Sequence, residues 1–136
     1  MPDHKSDSMS KALIAQAADA KSKAYIPYSK FAVGAAIRAR SGRIFTGCNV
    51  ENISFGLTMC AERVCIGSAI SAGEIDFDAI AIVSNSTVPV MPCGACRQVM
   101  AEFSPSLRVI SATTSGVVHE NRLDVLLPGA RQGILG

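Results

Sequence analysis

Two short runs hold the residue types best suited to chemistry. Cys93-Gly94-Ala95-Cys96 sets two thiols three positions apart, and Thr58-Met59-Cys60-Ala61-Glu62-Arg63 adds a third thiol with a carboxylate and a guanidinium close behind it. One turn of backbone lets the first pair chelate a single ion, and Pro92 just before it suits the opening of a helix. A lone Cys-x-x-Cys also serves redox pairs and structural zinc sites, and on that motif alone those readings stay open. A structural site wants a fourth Cys or His, yet Cys48 and Cys65 form no second Cys-x-x-Cys. If Cys60, Cys93 and Cys96 share one Zn²⁺, the fourth position stays open for water, as in catalytic zinc sites.

A three-thiol zinc beside a carboxylate resembles the zinc deaminases, and that resemblance implies Glu62 as a proton carrier serving water, a ring nitrogen and a departing amine in turn. Positions two apart on a helix point to nearly opposite sides, so Cys60 must sit at the very start of its helix with Glu62 reaching around to the same cavity. Placing all three cysteines at helix N-termini favours the thiolate form. Three thiolates on Zn²⁺ still sum to a net charge of −1. Arg63, three residues after Cys60, is expected to hydrogen-bond the sulfurs and offset it. A structural zinc or a redox pair would leave Glu62 without a role.

These residues need elements to position them. Residues 1–8 read as a flexible tail and 9–136 as a single domain. Ser10 is a candidate cap for a first helix running to about Ala24, with Leu13, Ile14, Ala17 and Ala18 as its apolar stripe. Ala32–Arg40 and Arg43–Val50 read as two strands joined at Ser41-Gly42. Thr58 is a candidate cap for a second helix from about Cys60 to Ala72, with Gly73 as its stop. The continuous apolar run within Phe77–Ser84 predicts a strand buried on both faces. A third helix follows from about Cys93 to Phe103, then a strand over Leu107–Ala112, a weaker one near Val117-Val118 and a helical turn over Asp124–Leu127. Strands alternating with helices predict an α/β fold, a three-layer α/β/α arrangement around a mixed five-stranded sheet.

Composition narrows the class. The chain has 136 residues, 49% of them hydrophobic and 18% charged, which suits one ordered domain of ordinary size. Thirteen basic and eleven acidic residues leave a net charge of +2, with no run of one sign and few aromatics. No nucleic-acid footprint and no membrane surface is expected from that pattern. The polar start lacks a secretory core, so a cytoplasmic setting with reduced thiols is expected, and there cysteines read as ligands before disulfides.

The chain resembles the short, homotetrameric cytidine deaminases over nearly its whole length. The matching runs are Tyr28 to Ala36, Gly47 to Asn52, Cys60 to Arg63 and Pro92 to Val99, in that order. The resemblance implies zinc-dependent hydrolysis of cytidine and 2′-deoxycytidine to uridine and 2′-deoxyuridine, with release of ammonia, in pyrimidine salvage. It implies Cys60, Cys93 and Cys96 as ligands of one Zn²⁺ per subunit and Glu62 as the proton shuttle. Asn49 and Glu51, flanking Val50, match an Asn-x-Glu that binds ribose hydroxyls, and alternation along a strand would turn both toward one sugar. Phe31 matches an aromatic at the pyrimidine pocket, and Ala61 a position whose backbone holds the base. The family's Leu-Leu-Pro-Gly-Ala-Phe, whose Phe reaches a neighbouring subunit's pocket, ends here in Arg131, which leaves three alternatives: its guanidinium stacks on a ring, contacts an anionic group, or lies outside the site. Cys48 and Cys65 match no ligand position and read as apolar fillers.

Three rivals remain. Blasticidin-type deaminases share the zinc core, though Asn49-Val50-Glu51 suits a simple nucleoside better. Deaminases of RNA or DNA want a basic stripe and commonly a His in place of Cys60. A zinc-stabilised binding module is the alternative outside the enzymes. A homotetramer with active sites near subunit interfaces is implied by the resemblance, and the high apolar content agrees with surface to be covered.

Overall fold

The computed structural model describes residues 4–130, with side chains from residue 8 onward. Helix α1 (His4–Lys21) leads into a hairpin of β1 (Val33–Ala39) and β2 (Ile44–Cys48), then α2 (Ala61–Ser71), β3 (Phe77–Ser84), α3 (Gly94–Phe103), β4 (Arg108–Thr113), β5 (Val118–Arg122) and a single turn, α4 (Leu123–Leu126). The strands form one sheet in the order β2-β1-β3-β4-β5. β1 runs antiparallel to both neighbours, β3 and β4 are parallel, and β4 and β5 are antiparallel. This is the mixed five-stranded sheet expected. Among the described residues, no helix is long and apolar enough to cross a membrane.

Alternation along the buried strands divides the core into the two halves that a three-layer fold requires. Ile37, Ile80, Ile82 and Val109 face α2 and α3, joined by Ile66, Cys96 and Met100. Ala36, Ala79, Ala81 and Ala112 face α1 through Leu13 and Ala17. The second half is built largely of alanine, so α1 lies close on the sheet. A methyl group at Gly34 would stand 2.0 Å from the Ala17 carbonyl oxygen. The opposite face repeats the device at β2. A methyl at Gly47 would stand 2.5 Å from the Cys65 nitrogen and 2.7 Å from the Ala61 carbonyl oxygen. Glycine there lets the opening of α2 press against the strand.

Several boundaries differ from expectation for identifiable reasons. α1 begins at His4, so the tail expected over 1–8 is helical from that residue. Ser10 lies inside the helix, where its hydroxyl accepts from Arg108 Nη2 at 3.3 Å, and Met9 extends the packed stripe toward the N-terminus. The helix stops at Lys21 rather than Ala24, because the Tyr25 backbone is drawn into pairing: its N–H donates to the Asn49 carbonyl and its carbonyl accepts from Glu51 N–H. β2 ends at Cys48, two residues before the expected Val50. Thr58 does not cap α2; Cys60 occupies that position, and the Thr58 hydroxyl instead accepts from Asn52 N–H at 3.3 Å. β5 is a full edge strand over Val118–Arg122, and β3 spans the expected Phe77–Ser84.

Sheet register brings the start of β1 and the ends of β2, β3 and β4 to one edge: Gly34 pairs Cys48, Val33 pairs Ser84, and Ser84 pairs Thr113. The connections into α2 and α3 both leave from there. Crevices outside strand carboxyl ends are where open α/β sheets bind ligands.

Candidate active site

Two helix openings meet at that edge. Val50 and Met59 exchange both backbone hydrogen bonds at 2.9 Å, which holds the chain extended up to Cys60. Cys60 keeps that geometry (φ −70°, ψ 151°) and its carbonyl accepts the first bonds of α2, from Arg63 and Val64. Cys93 does the same for α3 (φ −67°, ψ 168°), with Arg97 N–H on its carbonyl at 3.0 Å. Neither cap makes a side-chain capping bond, so both sulfurs are free of the backbone at the positive end of a helix dipole. Cys96, third residue of α3, completes the group from one turn further on.

The three sulfurs lie within 4.8 Å of one another. Cys60 Sγ and Cys93 Sγ are 3.9 Å apart, and Cys93 Sγ and Cys96 Sγ 3.4 Å. Ligands at about 2.3 Å on a tetrahedral zinc stand roughly 3.8 Å apart, so the donor set and spacing fit that ion. Glu62 is not part of the group. Cys60 stands just outside the helix as its cap, Glu62 lies in the first turn, and the Glu62 carboxyl is within hydrogen-bonding reach of the Cys96 thiol.

The surroundings separate the roles of these groups. The thiol of Cys96 beside Cys60 brings the latter's pKa down to about 5, with Arg63 and Cys93 helping, while Cys96 is driven up by keeping the shared proton. Arg63 Nη2 lies 3.5 Å from Cys60 Sγ and 3.4 Å from the Thr58 carbonyl oxygen, and hydrogen bonds to the Cys60 and Cys96 sulfurs push its own pKa further up. Its Nε is buried without a partner. Glu62 is 5% exposed, and burial raises its carboxyl above the ordinary range, with the Cys60 charge adding to the effect. A carboxyl in that state holds a proton near neutrality far better than an exposed one.

The other expected residues gather around a second set of bonds. Asn49, Val50 and Glu51 lie beyond the end of β2 in an extended segment that Tyr25 and Met59 flank. Asn49 Nδ2 donates to the Phe31 carbonyl at 2.8 Å, and its Oδ1 accepts from Val33 N–H at 3.0 Å. Glu51 Oε1 accepts from Tyr28 and Ser29 N–H at 3.0 and 3.1 Å, which holds its carboxyl low, the Ser29 side chain being the largest cause. Both side chains therefore converge, though on the backbone of residues 28–33. Both backbone bonds to Glu51 fall on Oε1. Phe31 and Val50 are each 39% exposed at this edge, and Ala61 is buried beneath. Tyr28, Ser29, Glu51, Ile53, Phe55 and Thr58 line a cavity of about 390 Å³ here. Arg131 lies outside the described residues. Of the two filler cysteines, Cys65 is buried with its thiol donating to the Phe45 carbonyl, and Cys48 is half-buried.

Residues 7–112 match the family described as the cytidine and deoxycytidylate deaminase zinc-binding region. A cytidine deaminase of Sporosarcina psychrophila is 48% identical over 87% of this chain and 88% of its own. The chain belongs to this deaminase family. Solved relatives carry the same fold: a cytidine deaminase from Burkholderia pseudomallei superposes with a TM-score of 0.84 at 49% identity, covering 87% of this chain and 95% of that one. One from Mycobacterium tuberculosis gives 0.79 at 42% identity, over 91% and 97%. Zinc is the family's metal, and the three-sulfur group is where this member would hold it.

The site also uses residues that sequence reasoning did not single out. Tyr25 and Met59 hold the Asn49–Glu51 segment through backbone bonds alone, which leave no signature in residue type. The Ser29 hydroxyl accepts from Phe31 N–H at 3.0 Å and shapes the turn that presents the ring. Ser two residues before the group it caps is the available signal for that contact. Gly47 could have been suspected as a small residue in a strand facing a helix.

Proposed function

We propose that this deaminase adds water to cytidine and 2′-deoxycytidine and releases ammonia, giving uridine and 2′-deoxyuridine in pyrimidine salvage. The observation that carries the reading is three thiols at tetrahedral spacing beside a buried carboxyl that is not one of the group. Zinc held by Cys60, Cys93 and Cys96 supplies the Lewis acid that makes water a nucleophile near neutral pH. Glu62 takes a proton from the attacking water, delivers it to the ring nitrogen, and passes the second to the leaving amine. Its burial supports this duty, since a shuttle needs comparable affinity for the proton in both directions. Arg63 offsets the excess negative charge of three thiolates from its place beside Cys60.

Glu51 and Asn49 bind the sugar hydroxyls. Phe31 and Val50 wall the base, and the Ala61 backbone holds its polar edge. The protein works as a homotetramer in the cytoplasm. Ile53, Phe55 and Leu57 support the assembly, being 85%, 88% and 66% exposed beside the site, a cluster that water alone covers poorly. Sedimentation of a monomer only would refute the tetramer.

The reading is tested by following ultraviolet absorbance of purified protein with cytidine, 2′-deoxycytidine, cytosine and blasticidin S in parallel. Turnover of both nucleosides, with the free base and the antibiotic left intact, is the expected pattern. Turnover of blasticidin S alone would transfer the assignment to the rival enzyme class, and no turnover at all to a binding module.

A further inference from the structure

Arg97 follows Cys96 directly but turns away from the sulfurs. Its Nε donates to the Pro92 carbonyl at 2.8 Å, and its Nη1 to the Leu126 carbonyl at 2.9 Å. The Pro92 carbonyl belongs to the peptide that ends at the Cys93 nitrogen, and Arg97 N–H already occupies the Cys93 carbonyl. One residue thus grips the peptide on each side of the Cys93 Cα. Of the three thiol residues Cys93 alone is exposed, so packing does less to fix it than it does for buried Cys96. On the far side, Leu126 closes α4, and Leu126, Leu127 and Ala130 pack against the core that contains Cys96 and Met100. Gln98 Nε2 adds a bond to the Ala130 carbonyl at 3.3 Å.

We infer that Arg97 is a positioning residue for the metal centre, aiming the Cys93 thiol by clamping the Pro92–Cys93 peptide to the end of α4. This rests on Cys93 being a zinc ligand. Only a planar fork with several donors at fixed angles spans two carbonyls from different segments; an ammonium cannot reproduce both bonds. Groups that orient metal ligands at one remove commonly govern affinity by roughly 10–100-fold.

The test measures zinc release to a chromogenic chelator and the thiolate-to-cobalt absorption of the cobalt-loaded protein, in wild type, Arg97→Gln, Arg97→Lys and Gln98→Ala. Arg97→Gln should release zinc at least about tenfold faster and alter the cobalt bands. Arg97→Lys should fall between it and wild type, and Gln98→Ala should match wild type. Wild-type release and spectrum in folded Arg97→Gln would overturn the inference. So would equal acceleration by Gln98→Ala, since the effect would then run through the C-terminal segment. Should Arg97→Gln fail to fold, Arg97→Lys decides by the same two readouts. A wild-type protein that takes up no cobalt would remove the ligand assignment itself and this role with it, a result distinct from an unaffected variant.

Discussion

Cys60, Cys93 and Cys96 stand on the opening turns of two helices, while Phe31 follows a turn ahead of β1 and Asn49 and Glu51 stand on an extended segment beyond β2. The helix openings take their position from the packed core: Gly47 lets α2 rest on β2, and Cys96 is itself a core residue. The residues of these segments are exposed or half-buried. They hold together by side chains bonded to the neighbouring backbone, Asn49 to residues 31 and 33 and Glu51 to residues 28 and 29. The difference has a physical sense. Metal ligands must be fixed within a few tenths of an ångström, which helices on a core provide. A pocket that admits and releases a ligand is better served by exposed segments with their own cross-links.

Disturbing the two regions should therefore have unlike consequences, and the largest lies at the sulfurs. Stripping metal with a chelator should abolish turnover, and one equivalent of zinc per chain should restore it, measured by absorbance after metal analysis. Glu62→Gln comes next. It should cut kcat by about 10²–10⁴-fold while zinc content stays at wild type, because the carboxyl is not a ligand. Gly47→Ala attacks the support rather than the chemistry. Its methyl would meet the α2 backbone, and thermal or denaturant unfolding should show a loss of about 1–3 kcal/mol, as overpacking costs elsewhere.

On the cross-linked side the effect should shift from kcat to KM. Asn49→Ala leaves the Val33 N–H and the Phe31 carbonyl short of a partner and loosens the turn that carries the ring. KM should rise about tenfold, in line with about 1–3 kcal/mol for an unsatisfied group, with kcat changed far less. A fall in kcat with unchanged KM would erase the contrast between the two regions. The smallest effect belongs at the opposite end of the sheet, where the exposed Arg40–Asp76 pair meets at 3.0 Å. Arg40→Ala should alter stability by less than about 0.5 kcal/mol and turnover not at all, since exposed pairs contribute little.

The same contrast explains what could be read from the chain. Cys60, Glu62, Cys93 and Cys96 declare themselves because metal and proton chemistry demand particular residue types at short spacing. The strand at Phe77–Ser84 was plain because a central strand buried on both faces needs a nearly continuous apolar run. The inward use of Asn49 and Glu51 was not legible, since a polar residue at a strand end suits solvent, ligand or backbone equally. Thr58 has the chemistry of a cap, but the Val50–Met59 bridge moves the helix start two residues past it. Arg97 lies in a motif that stands out for its cysteines, and its contact with Leu126 depends on a segment 29 residues away. Local rules carry no information about such a contact.

Catalysis here depends on one zinc held by three sulfurs with its fourth position free of protein. X-ray absorption of the zinc-loaded protein without substrate measures this coordination directly. Three sulfur scatterers at about 2.3 Å and one lighter atom from solvent are expected, unchanged in Glu62→Gln. Four sulfurs, two sulfurs with protein nitrogen, or a shell that changes when Glu62 is replaced would contradict it.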